Sequence, residues 1–345
     1  GNARKAWQGR LGEGGAEKNI PMDQSECGSE KNITLSIPER IERRDNMNFE
    51  EFTYRAKQAT QEYLGAEAQL EIEKITKNNG LVLTALLLRE SEGKVTPTVY
   101  LEQYYEAYSR GKSFGEVMEM IFSVYDQYGG VQFDLDFFSD YQRIKKRLLF
   151  KLIHFEKNKD MLQGTPFIPW EDLAIVFFVL FDNDVLGRGT ILIKREHMEK
   201  WNVSVEEMYR DAMENMPRLL EADIISMRQL LNEVGISNPF SNEEEADEFD
   251  MPMYILTNKQ RMYGASTLIY SDKLSELAKE FDTNLYVIPS SVHELILMPD
   301  CGKIDAEYIK GLIHTVNSSQ VAPDEVLSDE LYYYDKTLDR IAMYS

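Results

Sequence analysis

Nine consecutive apolar residues, Leu173 to Phe181, are closed on both sides by acids, Asp172 and Asp182. A bilayer-spanning helix needs roughly 18 or more such residues, so this run stays out of the membrane and reads as a buried strand. A chain of 345 residues that is 43% hydrophobic can enclose such a strand in at least one core, organised as one or two domains.

The surroundings of the run set the fold class. Asp182 to Gly189 is turn-like and Thr190 to Ile193 returns as a partner, which makes a hairpin; Ser204 and Glu207 then form a capping box ahead of Val205, Met208, Tyr209 and Ala212. The same grammar occurs upstream. Leu70 to Thr76, Leu81 to Arg89 and Val95 to Leu101 are strand-like, separated by Asn78-Asn79-Gly80 and Ser91-Glu92-Gly93, and Ser113 with Glu116 caps a helix bearing Phe114, Val117, Ile121, Phe122 and Tyr125. Pro97 makes the third stretch an edge strand or one that starts late. Two hairpin-then-helix units suggest a weak structural repeat.

Other helices are expected from Asn48 onward, with Phe49, Phe52, Ala56, Ala59 and Tyr63 on one face, over Phe137 to Leu148, over Asp223 to Val234, around Leu274 to Phe281, and last with Ile309, Leu312, Ile313 and Val316 together. Strands are expected at Leu149 to Phe155, Met253 to Thr257, Ala265 to Tyr270, Leu285 to Ile288, Leu295 to Met298 and around Tyr332-Tyr333-Tyr334. This order predicts an α+β fold of antiparallel hairpins and mixed sheet interleaved with helix pairs. The expected organisation is a disordered tail over 1–46, an N-terminal α+β subdomain over 47–165 and a C-terminal one over 166–345, with an acidic loop at 237–250 carrying Glu243-Glu244-Glu245. Met47 would make a natural initiator, the tail being an extension the fold does not need.

Charge excludes partner classes. The 38 basic residues face 59 acidic ones, a formal net charge of -21, which opposes phosphate neutralisation and anionic bilayers alike. Direct nucleic-acid binding and membrane association are therefore not expected. The 8 basic and 8 acidic residues of 1–46 cancel, so the surplus lies on the body. The two cysteines, Cys27 and Cys301, suit a reducing cytoplasm, and no apolar segment follows Arg4, Lys5 and Arg10 to make a secretory signal.

For chemistry, the most suggestive cluster is Ser290, Ser291, His293 and Glu294, set between apolar strands. A hydroxyl, an imidazole and a carboxylate are the parts of an activated nucleophile, but adjacent strand residues face opposite ways and no Gly-x-Ser-x-Gly elbow is present. A turn with a half-buried histidine is the simpler account. Asn258, Lys259, Arg261 and Tyr263 would join this cluster if their strands are neighbours, giving a pocket for a small anionic ligand. Asp134, Asp136 and Asp140, or Asp182 and Asp184, read as caps and turns rather than cation ligands, and His154, His197, His293 and His314 form no zinc motif. Neither a metal nor an organic cofactor is expected. The 15 methionines and 19 tyrosines, with a stripe at Tyr100, Tyr104, Tyr105 and Tyr108, are core packing or a contact face.

The phrases Phe167-Ile168-Pro169-Trp170-Glu171-Asp172-Leu173, Leu256-Thr257-Asn258-Lys259-Gln260, Ile288-Pro289-Ser290-Ser291-Val292-His293-Glu294 and Gln320-Val321-Ala322-Pro323 together resemble a Firmicutes family catalogued as a domain of unknown function, number 5688. The resemblance runs from about Met47 to the Tyr332 region. It implies a bacterial cytoplasmic setting and carries over no catalytic residue. The leading expectation is a non-enzymatic module that binds or regulates another protein. The alternative is a hydrolase-like or small-ligand site at Ser290, Ser291, His293 and Glu294.

Overall fold

The structure is a computed structural model that describes residues 47–89, 97–128, 136–183, 187–233, 252–302 and 305–344. The expected tail, the acidic loop at 237–250, Asp134 and Asp184 lie outside the described residues.

The chain begins with α1 (Phe49–Leu64), whose Asn48 side chain accepts the Glu51 N–H, as the sequence suggested. The hairpin β1 (Gln69–Thr76) and β2 (Val82–Arg89) follows, in register Gln69↔Arg89 to Thr76↔Val82. β3 (Thr98–Tyr100) completes a three-stranded antiparallel sheet as an edge, starting just past the donor-less Pro97. Next come α2 (Leu101–Ser109) and α3 (Phe114–Tyr128); the Ser113 and Glu116 cap is reciprocal, at 2.7 and 3.2 Å. Phe52, Ala56, Leu86, Leu101, Val117 and Ile121 close a first core. Most of the tyrosine stripe belongs to it: Tyr104 is buried there and the rings of Tyr105 and Tyr108 lie against Phe52, while Tyr100 is buried outside this cluster, under Lys77.

The helix expected over 137–148 is broken. Asp140 caps a single turn, α4 (Tyr141–Ile144), and by Leu148 the backbone is already strand β4 (Leu148–His154). The consecutive buried apolar residues Leu148, Leu149 and Phe150 match pairing with the long apolar run, and tertiary pairing overrides the local helical spacing. After α5 (Lys159–Gln163) and β5 (Phe167–Trp170) comes β6 (Leu173–Asn183), which carries that run. β6 pairs with β4 on one side and with β5 and then β7 (Gly187–Leu192) on the other. Leu173 to Leu180 are all buried, which accounts for a strand with no polar face. β4 thus pairs directly across residue 165 with β6.

Helices α6 (Arg195–Trp201) and α7 (Val205–Leu219) follow, and the Ser204 and Glu207 capping box is formed. Asp223 to Val234 was expected to be one helix; its first part is instead β8 (Ala222–Ser226) and only then α8 (Met227–Glu233). Ile224 and Ile225 are β-branched and pair with Leu256 and Ile255, so the sheet edge takes them. β9 (Tyr254–Asn258) is succeeded not by the expected strand at 265–270 but by a helical turn and α9 (Thr267–Tyr270), where the Thr267 hydroxyl donates to the Gly264 carbonyl at 2.7 Å. The remaining elements are α10 (Lys273–Glu280), β10 (Leu285–Ile288), β11 (Leu295–Pro299), α11 (Ala306–Ser319), β12 (Tyr332–Asp335) and β13 (Arg340–Met343). The last sheet has the order β13-β12-β10-β11-β9-β8. All strand pairs among the described residues are antiparallel, so the α+β class holds and the sheet expected to be mixed is antiparallel there. One core, from Leu148 and Phe177 through Met208 to Leu297 and Tyr332, joins the second and third sheets.

The β1–β2 turn does more than reverse the chain. Asn79 sits at φ 59°, donates from Nδ2 to the carbonyls of Pro323 (2.9 Å) and Val326 (2.7 Å), and accepts from Asn158 Nδ2 at 3.0 Å. Asn78 donates to the Asp324 carbonyl at 2.7 Å. These bonds fasten the first core to the rest. Asn79→Ala loses three of them and places a methyl side chain in the left-handed region, so urea unfolding should register a loss of about 2 kcal/mol. An unchanged midpoint would show that the clamp contributes nothing to the joint.

Candidate functional site

The segment after β9 is shaped by Asn258, which is fully buried. Its Nδ2 donates to the Met262 carbonyl at 2.7 Å and its Oδ1 accepts the Met262 N–H at 3.2 Å, closing a tight loop. Within the loop Arg261 (φ 54°) and Tyr263 (φ 49°) are left-handed, a conformation costly for side chains of this size. Lys259 leaves the loop for solvent, where its Nζ meets Glu221 at 2.6 Å. Asn258 is thus a structural residue and Lys259 a surface one.

β9 and β11 are neighbours, Leu256 opposite Leu295, and this register carries the loop onto His293. The Tyr263 N–H donates to His293 Nδ1 at 3.2 Å, and the two rings stack at 5.6 Å and 12°. The Thr257 hydroxyl donates to the His293 carbonyl at 2.8 Å. Lys151 reaches over from β4, its Nζ 4.3 Å from the centre of the Tyr263 ring.

The insert Pro289 to Glu294 is fixed by its own backbone. The carbonyls of Pro289 and Ser290 accept from Ser328 and Leu327, Ser291 bridges to Val326, and the Val292 N–H donates to Glu325. Ser290 and Ser291 are buried, and Ser291 Oγ accepts the His293 backbone N–H at 3.1 Å. Among the described residues neither hydroxyl bonds the imidazole, which is the contact an activated serine requires. With Nδ1 accepting from Tyr263, the neutral tautomer has its proton on Nε2, which lies 3.7 Å from Glu325 Oε1.

Burial, with Lys151 nearby, pushes the His293 imidazole down to about 4, so it is neutral at pH 7. Glu294 is 6% exposed. Burial raises its carboxyl to about 7, with Glu325 adding to the rise and Arg261 opposing it. Burial and Asp324 also raise Glu325. The result is a compact patch whose burial shifts both acids toward the protonated form and its histidine toward the neutral one. Sequence reasoning named Ser290, Ser291, His293, Glu294, Arg261 and Tyr263; it missed Lys151, Thr257, Gly264 and Glu325, which arrive from other strands and from a loop with no local signal. A glycine directly after the polar loop, Gly264, was the one available hint. Among the described residues no three His, Cys, Asp or Glu side chains gather into a metal cage.

A second feature lies on α11. Its buried arc is Ala306, Ile309, Ile313 and Asn317, whereas Tyr308 (58%), Leu312 (44%) and Val316 (36%) are exposed in a row at i, i+4 and i+8. The expected grouping of Ile309, Leu312, Ile313 and Val316 is divided by burial, Ile309 and Ile313 being covered and Leu312 and Val316 exposed: the sheet beneath covers only one flank of a wide apolar arc. No helix among the described residues is long and apolar enough to cross a membrane.

No curated protein and no solved structure matches this chain. A family model described as a family of unknown function, DUF5688, matches residues 49–336, which takes in every sheet strand but β13 and all the helices described above. The chain therefore belongs to the family of unknown function DUF5688.

Proposed function

We propose that this chain is a non-enzymatic protein-interaction module of a bacterial cytoplasm, and that it offers the outer face of α11 to a basic, amphipathic polypeptide segment. The row Tyr308, Leu312 and Val316 carries the reading, because an ordered helix that leaves large apolar side chains aligned in water is suited to cover by a partner. Charge chooses the partner. The chain has a net charge of -21, and Asp305 caps the helix that carries the row. Cys301, an exposed free thiol, fits a reducing compartment. The build of the Ser290 to Glu294 insert, with each group committed to backbone or burial, favours a structural role over acyl transfer.

The test uses a labelled Lys/Leu peptide designed as an amphipathic helix, a scrambled peptide of equal composition, and a Glu/Leu counterpart. Anisotropy should show the Lys/Leu helix binding about tenfold tighter than either control, and Tyr308→Ser with Leu312→Arg should remove that margin while leaving the melting curve in place. Equal binding of the scrambled peptide, or no effect of the double substitution, overturns the reading.

A further inference from the structure

A groove of about 560 Å³ runs between α4, the end of α6 and the first turns of α7, built from elements other than α11 and the His293 insert. Tyr141 and Trp201 form its aromatic wall. Both rings are held in place: the Trp201 indole N–H donates to the Phe138 carbonyl at 3.2 Å, the Tyr141 hydroxyl donates to Asp211 at 2.8 Å, and the ring centres are 5.9 Å apart. Asn202, left-handed at φ 52°, ends α6 and turns the chain around the groove's rim.

The charges along the groove divide by task. Its three carboxylates serve the fold: Asp211 accepts from Tyr141, Glu207 accepts the Ser204 N–H at 3.0 Å, and Asp140 accepts the Gln142 N–H at 2.9 Å. Its three cations, Lys145, Lys200 and Arg210, make no side-chain ion pair or hydrogen bond among the described residues. On a chain this acidic, a recess whose three cations match its three carboxylates, with the carboxylates engaged in hydrogen bonds and the cations not, is locally less negative than the chain as a whole. An anionic group satisfies these cations, and the guanidinium of Arg210 suits a planar carboxylate or a phosphate through paired N–H donors. Trp201 and Tyr141 suit a flat, apolar body beside that group.

We propose that this groove binds a small organic anion with an aromatic body, its ring against Trp201 and its carboxylate or phosphate on Arg210, Lys145 and Lys200. Isothermal titration of the full chain with adenosine 5′-monophosphate and with indole-3-acetate tests the class, with adenosine and inorganic phosphate as part-ligands. At least one anion should bind saturably with a Kd below ~1 mM, and each part-ligand about tenfold more weakly. Binding of the nucleotide alone assigns a phosphate ligand, and binding of indole-3-acetate alone a carboxylate. Arg210→Gln, and separately Lys145→Gln with Lys200→Gln, should each weaken binding about tenfold at an unchanged melting temperature, and Lys336→Gln, outside the groove, should not. Absence of saturable heat with both anions up to ~5 mM, adenosine binding as tightly as its phosphate, or wild-type affinity in the groove variants overturns the proposal.

Discussion

Gly264→Ala should destabilise the protein by about 3 kcal/mol or more and lower its melting temperature by roughly 4 °C or more. A Cβ at this position would stand 2.1 Å from Thr257 Oγ1, 2.3 Å from the His293 carbonyl oxygen and 2.9 Å from Thr257 Cα. Contacts of this kind normally lie beyond 3.4 Å. Two of the three obstacles are backbone, one in strand β9 and one in the insert, and the third is a hydroxyl already donating to that same carbonyl at 2.8 Å. No rotamer change relieves the overlap, so β9 and the insert must separate, and with them the Tyr263 N–H to His293 bond. Gly311→Ala is the matched control. Nothing lies within 4 Å of its new methyl, and it sits inside α11, where removing a glycine should stabilise by about 0.5 to 1 kcal/mol. Urea unfolding of the two variants should therefore move in opposite directions. A Gly264→Ala protein with the wild-type midpoint would mean that the strand and the insert do not approach as described.

What could be read from the sequence and what could not follows from the range of the interactions. The caps at Asn48, Ser113 and Ser204 depend on residues three apart, and each formed where expected. β6 announced itself because burial on both faces leaves an unbroken apolar run. The strand at 222–226 was hidden because Ile224 and Leu231 also fit a helical face, and only the partner β9, some thirty residues away, decides between them. At the insert, the residue types were visible but their wiring was not. His293 owes its lowered pKa to burial and then to Lys151 of a different sheet, while the Tyr263 N–H from a loop bonds its Nδ1 and Glu325, from beyond α11, lies 3.7 Å from its Nε2. On α11 the sequence showed a wide apolar arc, and the sheet's reach determines which half stays dry.

Single substitutions at His293 and Glu294 should give stability profiles that slope in opposite directions with pH. The imidazole of His293 is held down at about 4 against an ordinary 6.5. Between those values the unfolded chain binds a proton that the fold refuses, so the stability associated with His293 is complete above about pH 6.5 and is lost as pH falls through 4. Glu294 behaves in reverse. Its carboxyl is raised to about 7 from an ordinary 4.5, so the fold keeps a proton that the unfolded chain gives up. Its contribution is complete below about pH 4.5 and is lost as pH rises through 7. Each group accounts for at most about 3 kcal/mol over its window, the imidazole for less because one fifth of its side chain meets water. Glu325, raised by burial and Asp324, reinforces the Glu294 side. Where the windows overlap, from about pH 4.5 to 6.5, the two slopes oppose each other and the wild-type contribution of the pair is nearly level. Glu294→Gln uncovers the histidine, and stability should rise with pH across that interval by about 1 kcal/mol per unit. His293→Gln uncovers the acid, and stability should fall across it by a similar amount. Chemical denaturation at half-unit steps measures both, and because slopes are compared, any constant loss of packing in either variant drops out. Parallel profiles in the two variants would show that neither group carries its proton as the burial of this insert requires.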